Sequence, residues 1–332
     1  AAVRMQPVGA TAMSLLDLPP TDRVLDVVID TDPMNEIDDQ FAIAWALLRP
    51  DRLRVRALLA APWQSDEKTY RTTDPSVDQG RHVDRVREAV GPAEGQRQAY
   101  AELVRLGDTI GVDVPVYAGA DRFLPGPATP VRSDATDALI ALAHEDRQGP
   151  LYLLGIACAT NLASALLLDP SIAGRVQVVW TSAHPSWWPR PTASYNLSLD
   201  LPASRVLFDS GAPLVYLPGY TVGEELRTTR AELERYVQGR GPVGDYLWQT
   251  WESHWMTRSQ QPGYSKVIWD LINIAYVLEP AWVATELVPA PVLGQDLRWE
   301  HPAGRHVIRE AWDLDRDACF GDLFRVLAAQ LH

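Results

Sequence analysis

The 332-residue chain predicts a single-domain α/β fold, an open and mostly parallel sheet with flanking helices. Three observations predict it. Short apolar runs alternate with amphipathic segments along most of the chain, the pattern of strands joined by helical crossovers. An apolar fraction of 46% with 12 Trp supplies a large core. No repeat or low-complexity tract divides the chain, and the Pro-rich stretches at 125–130 and 185–191 read as loops. Residues 1–20 read as an N-terminal extension with no signal-peptide pattern, and 21–332 as the domain.

The elements follow in order. Residues 24–30, "VLDVVID", form a buried strand, and 37–48 a helix with Ile37, Phe41, Ala44, Trp45 and Leu48 at helical spacing. A second strand spans 53–61. Residues 79–107 are Arg-rich and helical in pattern, with a break at Gly91-Pro92. A short strand at 114–118 precedes a helix over 134–145 that Ser133 can cap. "LYLLGIACATNLASALLLDP" reads as strand, turn and helix, stopped at Asp169-Pro170. Then come a strand at 176–180, a helix at 202–209 ended by Gly211, and a strand at 213–217. Two charged, Trp-bearing helices fill 224–258, and an apolar helix fills 264–278. A strand near 305–312 and a helix over 315–331 close the chain.

Bulk properties exclude several functions. A net charge of −13 opposes a nucleic-acid partner, which needs Lys and Arg to replace phosphate counterions. Cys158 and Cys319 are the only cysteines, too few for a disulfide framework or a Cys-rich zinc site. No window reaches the roughly 18 apolar residues of a membrane span. A cytoplasmic protein acting on a small molecule is the expectation.

The chemistry concentrates in "DTDPMNEIDD", residues 30–39. Asp30 and Asp32 close the first strand, Glu36 lies in the turn, and Asp38 and Asp39 open the following helix. All fall at the strand ends where parallel α/β sheets bind ligands. A helix start tolerates one or two acids, but five in ten residues after a buried strand repel one another unless a cation sits among them. Carboxylate oxygens suit a hard divalent ion, Mg²⁺ or Ca²⁺. Asp270 is a second clue, because "VIWDLINIAYVL" gives its charge little company except Asn273; capping the helix that follows is the alternative role. Thr160-Asn161 is a candidate helix cap after the fourth strand.

This stretch resembles the inosine-uridine preferring nucleoside hydrolase superfamily. "DTDP…DD" before "QFAIAWAL", "VPVYAGADRFL", "GIACATNLASAL", "ASYNLSLDLPASRVLF" and "KVIWDLINIAYVL" are similar to that family's segments in the same order. The resemblance implies a Rossmann-like core and one Ca²⁺ held by Asp32, Asp39, the Thr160 carbonyl and Asp270. It implies that Asp38 and Asn196 contact ribose hydroxyls and that Asp30 orients the metal ligands. The implied reaction is hydrolysis of an N-glycosidic bond through an oxocarbenium-like transition state. Asp32 is the chosen base, with Asp39 as the alternative. A homodimer or homotetramer is also implied.

Four departures reshape these expectations. "DPMNEIDD" carries two more residues than the family's usual turn and has Met34 in place of its Gly. Ser194 stands where a Glu usually contacts the 5′-hydroxyl. Trp63 and Gln64 replace a sugar-binding Asn. Trp269 replaces a His that protonates the leaving base, and Trp cannot donate that proton. His184 is the candidate substitute, with His254 behind it. Stacking on Trp63, Trp187, Trp188 or Trp269, or a leaving group that departs easily, is the other route. The predicted substrate is therefore a nucleoside-like compound other than a standard riboside.

Two rival readings remain open in the sequence. One is a haloacid-dehalogenase-like phosphatase with Asp30 as nucleophile, disfavoured by the scarcity of Lys. The other is a non-catalytic nucleoside- or sugar-binding protein on the same fold.

Overall fold

The computed structural model describes residues 15–73, 82–254 and 263–330. Strand β1 (Leu25–Thr31) is buried at every position, as a central parallel strand requires. Its alternating side chains serve two cores. Val27 and Ile29 join the cluster containing Phe41, Trp45 and Ile272; Val28 joins the one containing Trp180 and Phe208. Helix α1 (Asp38–Leu47) is buried all round, so its expected amphipathic face is in fact its whole surface. Strand β2 (Leu53–Ala60) follows.

The region expected to be helical from residue 79 holds a strand instead, with 79–81 outside the described residues. Strands β3 (Lys68–Thr73) and β4 (His82–Arg87) form an antiparallel pair that sets Thr72 against Val83 and Thr69 against Val86. Such β-branched positions favour a strand over a helix. Helix α2 (Pro92–Ile110) starts at the expected break. Proline is at home there, since its missing N–H would have no partner in a first turn.

Strand β5 (Val116–Ala118) leads to α3 (Asp134–His144), which opens on a capping box between Ser133 and Thr136, as the sequence predicts. Then come β6 (Leu151–Gly155), α4 (Thr160–Leu168), β7 (Val176–Ser182), α5 (Tyr195–Leu199), α6 (Leu201–Asp209) and β8 (Leu214–Pro218). Short β9 (Arg227–Thr229) precedes α7 (Arg230–Tyr236) and α8 (Gly241–Ser253), the two expected charged helices; 255–258 fall outside the described residues. The expected helix over 264–278 divides into β10 (Ser265–Val267), which pairs with β9, and α9 (Leu271–Leu278). The sequence reading missed β11 (Val283–Pro289), β12 (Val292–Leu293) and β13 (Trp299–Glu300). Strand β14 (Val307–Leu314) and α10 (Arg316–Ala329) end the domain.

The main sheet runs β11-β14-β8-β7-β6-β1-β2-β5. Its neighbours are parallel except at the β11–β14 edge. From β1 the chain steps outward to β2 and β5; from β6 it steps the opposite way. The crevice at the carboxyl ends of β1 and β6 is thus the topological switch point, where such sheets bind ligands. Residues 15–20 already sit on the domain. Leu16 is buried, and the carbonyls of Asp17, Leu16 and Pro20 accept hydrogen bonds from Gln177, Arg309 and Arg52.

Candidate active site

Five carboxylates open onto the switch point. Asp32, Glu36, Asp38, Asp39 and Asp270 line one cavity together with Asn35, Ser194, Asn196, Tyr220 and Trp269. The cavity is open to solvent at its mouth. Single carboxylate oxygens of Asp38, Asp39 and Asp270 lie within 4.8 Å of one another, and all three residues are buried.

The local bonds show how the chain holds this repulsion. Asp39 Oδ1 accepts from Thr31 Oγ1 at 2.5 Å and from the Asp32 amide at 3.1 Å. Asp32 Oδ2 accepts from Asn35 Nδ2 at 2.8 Å, so an added residue of the long turn fixes the candidate base. Asp270 directly precedes α9, but its side chain makes no capping bond. The capping alternative for it is therefore removed. Thr160-Asn161 does not cap α4 either; that helix has no side-chain cap. Instead Asn161 Nδ2 donates to Asp30 Oδ1 at 2.8 Å, while its Oδ1 accepts from the Ala120 amide at 2.9 Å.

Electrostatics make this cluster costly to ionise and receptive to a positive charge. Burial pushes the Asp30 carboxyl up to about 7, with Asn161 opposing. Burial, then the neighbouring acids, raises Asp32 and Asp270 well above the ordinary carboxylate range. Asp38 and Asp39 are raised mainly by burial; Lys266 opposes the shift at Asp38, and Thr31 opposes it at Asp39. Asp30 Oδ2 is buried with no hydrogen-bond partner. An all-oxygen cluster that must otherwise hold protons suits a hard divalent cation.

Backbone strain gathers at the same rim. Met34, Ala183 and Thr221 adopt left-handed φ values of 87°, 39° and 72°. Ala183 lines the cavity, and Met34 and Thr221 adjoin the lining residues Asn35 and Tyr220. Non-glycine residues held this way concentrate where surrounding structure fixes a functional loop.

The inosine-uridine preferring nucleoside hydrolase family model matches residues 27–320. The chain belongs to that family. Membership makes it an enzyme, a hydrolase of N-glycosidic bonds in nucleosides. It is similar to the pyrimidine-specific ribonucleoside hydrolase RihA of Klebsiella pneumoniae (strain 342), 27% identical over 66% of this chain and 68% of the relative. It is also similar to RihB of Escherichia coli O157:H7 (strain EC4115 / EHEC), 25% identical over 78% and 80%. Among solved structures, the plant nucleoside hydrolase PpNRh1 superposes with TM-score 0.68 at 20% identity, covering 92% of this chain and 99% of the other. An inosine-guanosine nucleoside hydrolase gives 0.68 at 16%, covering 91% and 98%. These superpositions bear on the fold.

The nucleoside hydrolase site gathers some expected residues and leaves others apart. Asp32, Asp38, Asp39, Asp270, Asn196, Ser194 and Trp269 share the cavity. Asn196 Nδ2 is bonded to the Ile156 carbonyl at 3.1 Å. Ser194 caps α5, and its Oγ meets Ser182 Oγ at 2.9 Å and the Ala183 amide at 3.0 Å. Thr160 does not line the cavity; its hydroxyl donates to Asp200 Oδ2 at 2.6 Å. Trp63 is only 1% exposed and belongs to the core, away from the lining.

His184 also stands outside the lining. Its ring stacks on Trp188 at 4.4 Å and packs against Tyr220 at 4.5 Å, and Tyr220 meets the edge of Trp269 at 5.4 Å. Burial holds the His184 imidazole below its ordinary pKa, which favours the neutral ring over a proton donor. Trp187, 63% exposed, sits beyond Trp188. The buried Asp30 is 0% exposed and tied to Asn161, so it is not placed as the nucleophile of a phosphatase.

Sequence reasoning missed Lys266 and Tyr220. Lys266 is buried, and its ammonium group pairs with Glu36 and donates to the Val267 carbonyl at 3.0 Å. The chain has just two lysines, Lys68 and Lys266, so a lysine three residues before "WD" was a usable signal. Tyr220 follows β8 at the ligand-binding edge, which the strand-end rule alone could have found.

Proposed function

We propose that this nucleoside hydrolase is Ca²⁺-dependent and cleaves a nucleoside-like N-glycoside with Asp32 as the general base. The observation that carries the reading is the convergence of Asp38, Asp39 and Asp270 to within 4.8 Å in a buried cavity that Asp32 also lines. Asp39 and Asp270 would hold the ion. Asp38, Asp32 and the Thr160 carbonyl are the further candidate ligands, with Asp38 the alternative contact to ribose hydroxyls. When bound, the ion would neutralise the cluster, lower the pKa of a water and fix sugar hydroxyls.

The chain's own groups supply the rest. Asn35 orients the Asp32 carboxylate, which takes a proton from the attacking water. Calcium acidifies water less than zinc does, so this base is needed. Asn196 keeps its Oδ1 for a sugar hydroxyl while its Nδ2 is anchored on Ile156. Asp30, through Asn161, buttresses the end of β1. Attack from one face by a single water inverts the anomeric carbon. Trp269 offers an aromatic face to the leaving base, and His184 supports it through Tyr220. Trp187 and Trp188 extend that aromatic arm outward. A homodimer or homotetramer in the cytoplasm is the proposed setting.

Hydrolysis of a riboside panel after chelation and after Ca²⁺ is restored tests this. Turnover should vanish on chelation and return with Ca²⁺. Equal rates in both conditions would remove the metal, and no turnover of any riboside would favour a binding protein.

A further inference from the structure

The lengthened first turn places a fixed negative charge on the cavity wall. Glu36 lines the cavity, and the buried Lys266 ammonium grips its carboxylate from β10. Tyr220 and Trp269 line the same space, with ring centroids 5.4 Å apart and planes at 78°. Glu36 is near enough to add to the burial that tightens the Tyr220 proton.

The charge balance of this space favours a positively charged ligand. Five carboxylates line it. A divalent cation and Lys266 together supply three positive charges, so two negative charges remain when every acid is ionised. Aromatic faces add further attraction for a cation. Among the described residues no imidazole lines the cavity. A neutral purine or pyrimidine gains from a proton as it leaves; a base that is already positive does not.

We propose that the cavity selects N-glycosides whose base carries a formal positive charge, such as a pyridinium riboside, with Glu36 facing that charge and Trp269 and Tyr220 flanking its ring. The inference rests on the hydrolase reading above. Cleavage then balances without a leaving-group acid. The C1′–N bond breaks and its electron pair returns to the ring nitrogen, which departs neutral. The water oxygen bonds to C1′ and its proton passes to Asp32. Lys266 acts as a positioning residue, because it holds Glu36 in place without facing the ligand.

The test compares kcat/KM for nicotinamide riboside, inosine and uridine in saturating Ca²⁺, in the wild type and in Glu36→Gln. The cationic riboside should exceed both neutral ones by at least tenfold, and Glu36→Gln should lower that ratio at least tenfold, which separates recognition from the cation's own reactivity. Neutral ribosides cleaved as well as the cation would overturn the inference and leave the hydrolase reading standing. An unchanged ratio in folded Glu36→Gln would also overturn it. No cleavage of any of the three would sink both. Should Glu36→Gln fail to fold, wild-type affinity decides: 1-methylnicotinamide binding at least tenfold tighter than nicotinamide supports the inference, and equal affinity overturns it.

Discussion

Asn35 Nδ2 lies 2.8 Å from Asp32 Oδ2, so a residue of the lengthened turn holds the carboxylate proposed as the general base. This bond favours the charged form of Asp32 and opposes the burial that raises its pKa. In Asn35→Ala the donor is lost, a change of roughly 1.5–3 kcal/mol for a hydrogen bond to a charged group. A fall in kcat of about tenfold or more is expected, with the acid limb of the pH–rate profile moved to higher pH. Kinetics across pH 5–9 check both parts.

Asp32→Asn removes the proposed base and keeps the shape. General-base catalysis contributes about 10²–10⁴-fold, so turnover should fall by at least that range while the far-UV dichroism stays that of the wild type. A rate close to wild type would reassign the base to Asp39.

Metal affinity separates the two candidate ligand sets. Asp270→Ala removes a buried carboxylate that belongs to the three-residue cluster and makes no capping bond. Calorimetry should show Ca²⁺ binding weakened at least tenfold. Asp38→Asn should weaken it comparably if Asp38 is a ligand, and should instead raise KM with little change in Ca²⁺ affinity if Asp38 holds the sugar.

The raised carboxyls give a pH dependence of definite sign. Burial lifts Asp30 to about 7, and Asp32, Asp38, Asp39 and Asp270 move the same way. An unfolded chain releases these protons near pH 4. Between about pH 4 and 7 the metal-free native state therefore binds more protons than the unfolded one, so its stability falls as pH rises. Thermal melts with chelator should show Tm declining across that window. Saturating Ca²⁺, which displaces the protons, should flatten the decline.

Much of the frame was legible because it rests on local pattern. The buried run before "DTDP", the Ser133 cap and the fully apolar helices each state their structure in a few residues. Their order then implied parallel crossovers and a ligand at the strand ends. What the sequence hid depends on distant pairing. β11 reads as a half-exposed segment and becomes a strand only because β14 lies beside it. Trp63 looks available for stacking in "AAPWQ", yet α2 approaches so closely that a side chain at Gly95 would meet the Trp63 carbonyl at 2.0 Å. The Glu36–Lys266 pair joins residues 230 positions apart, beyond any local signal. Asn161 looked like a cap and proved to be the clamp on Asp30, because Gly119 lets it approach: a Cβ there would fall 2.4 Å from Asn161 Nδ2.

The most direct measurement is a high-resolution crystal structure grown with millimolar Ca²⁺. Density for one ion among Asp38, Asp39 and Asp270, with an ordered water within reach of Asp32, is the predicted result. Carboxyl groups turned away from one another, or paired with arginines around an ion-free centre, would contradict it.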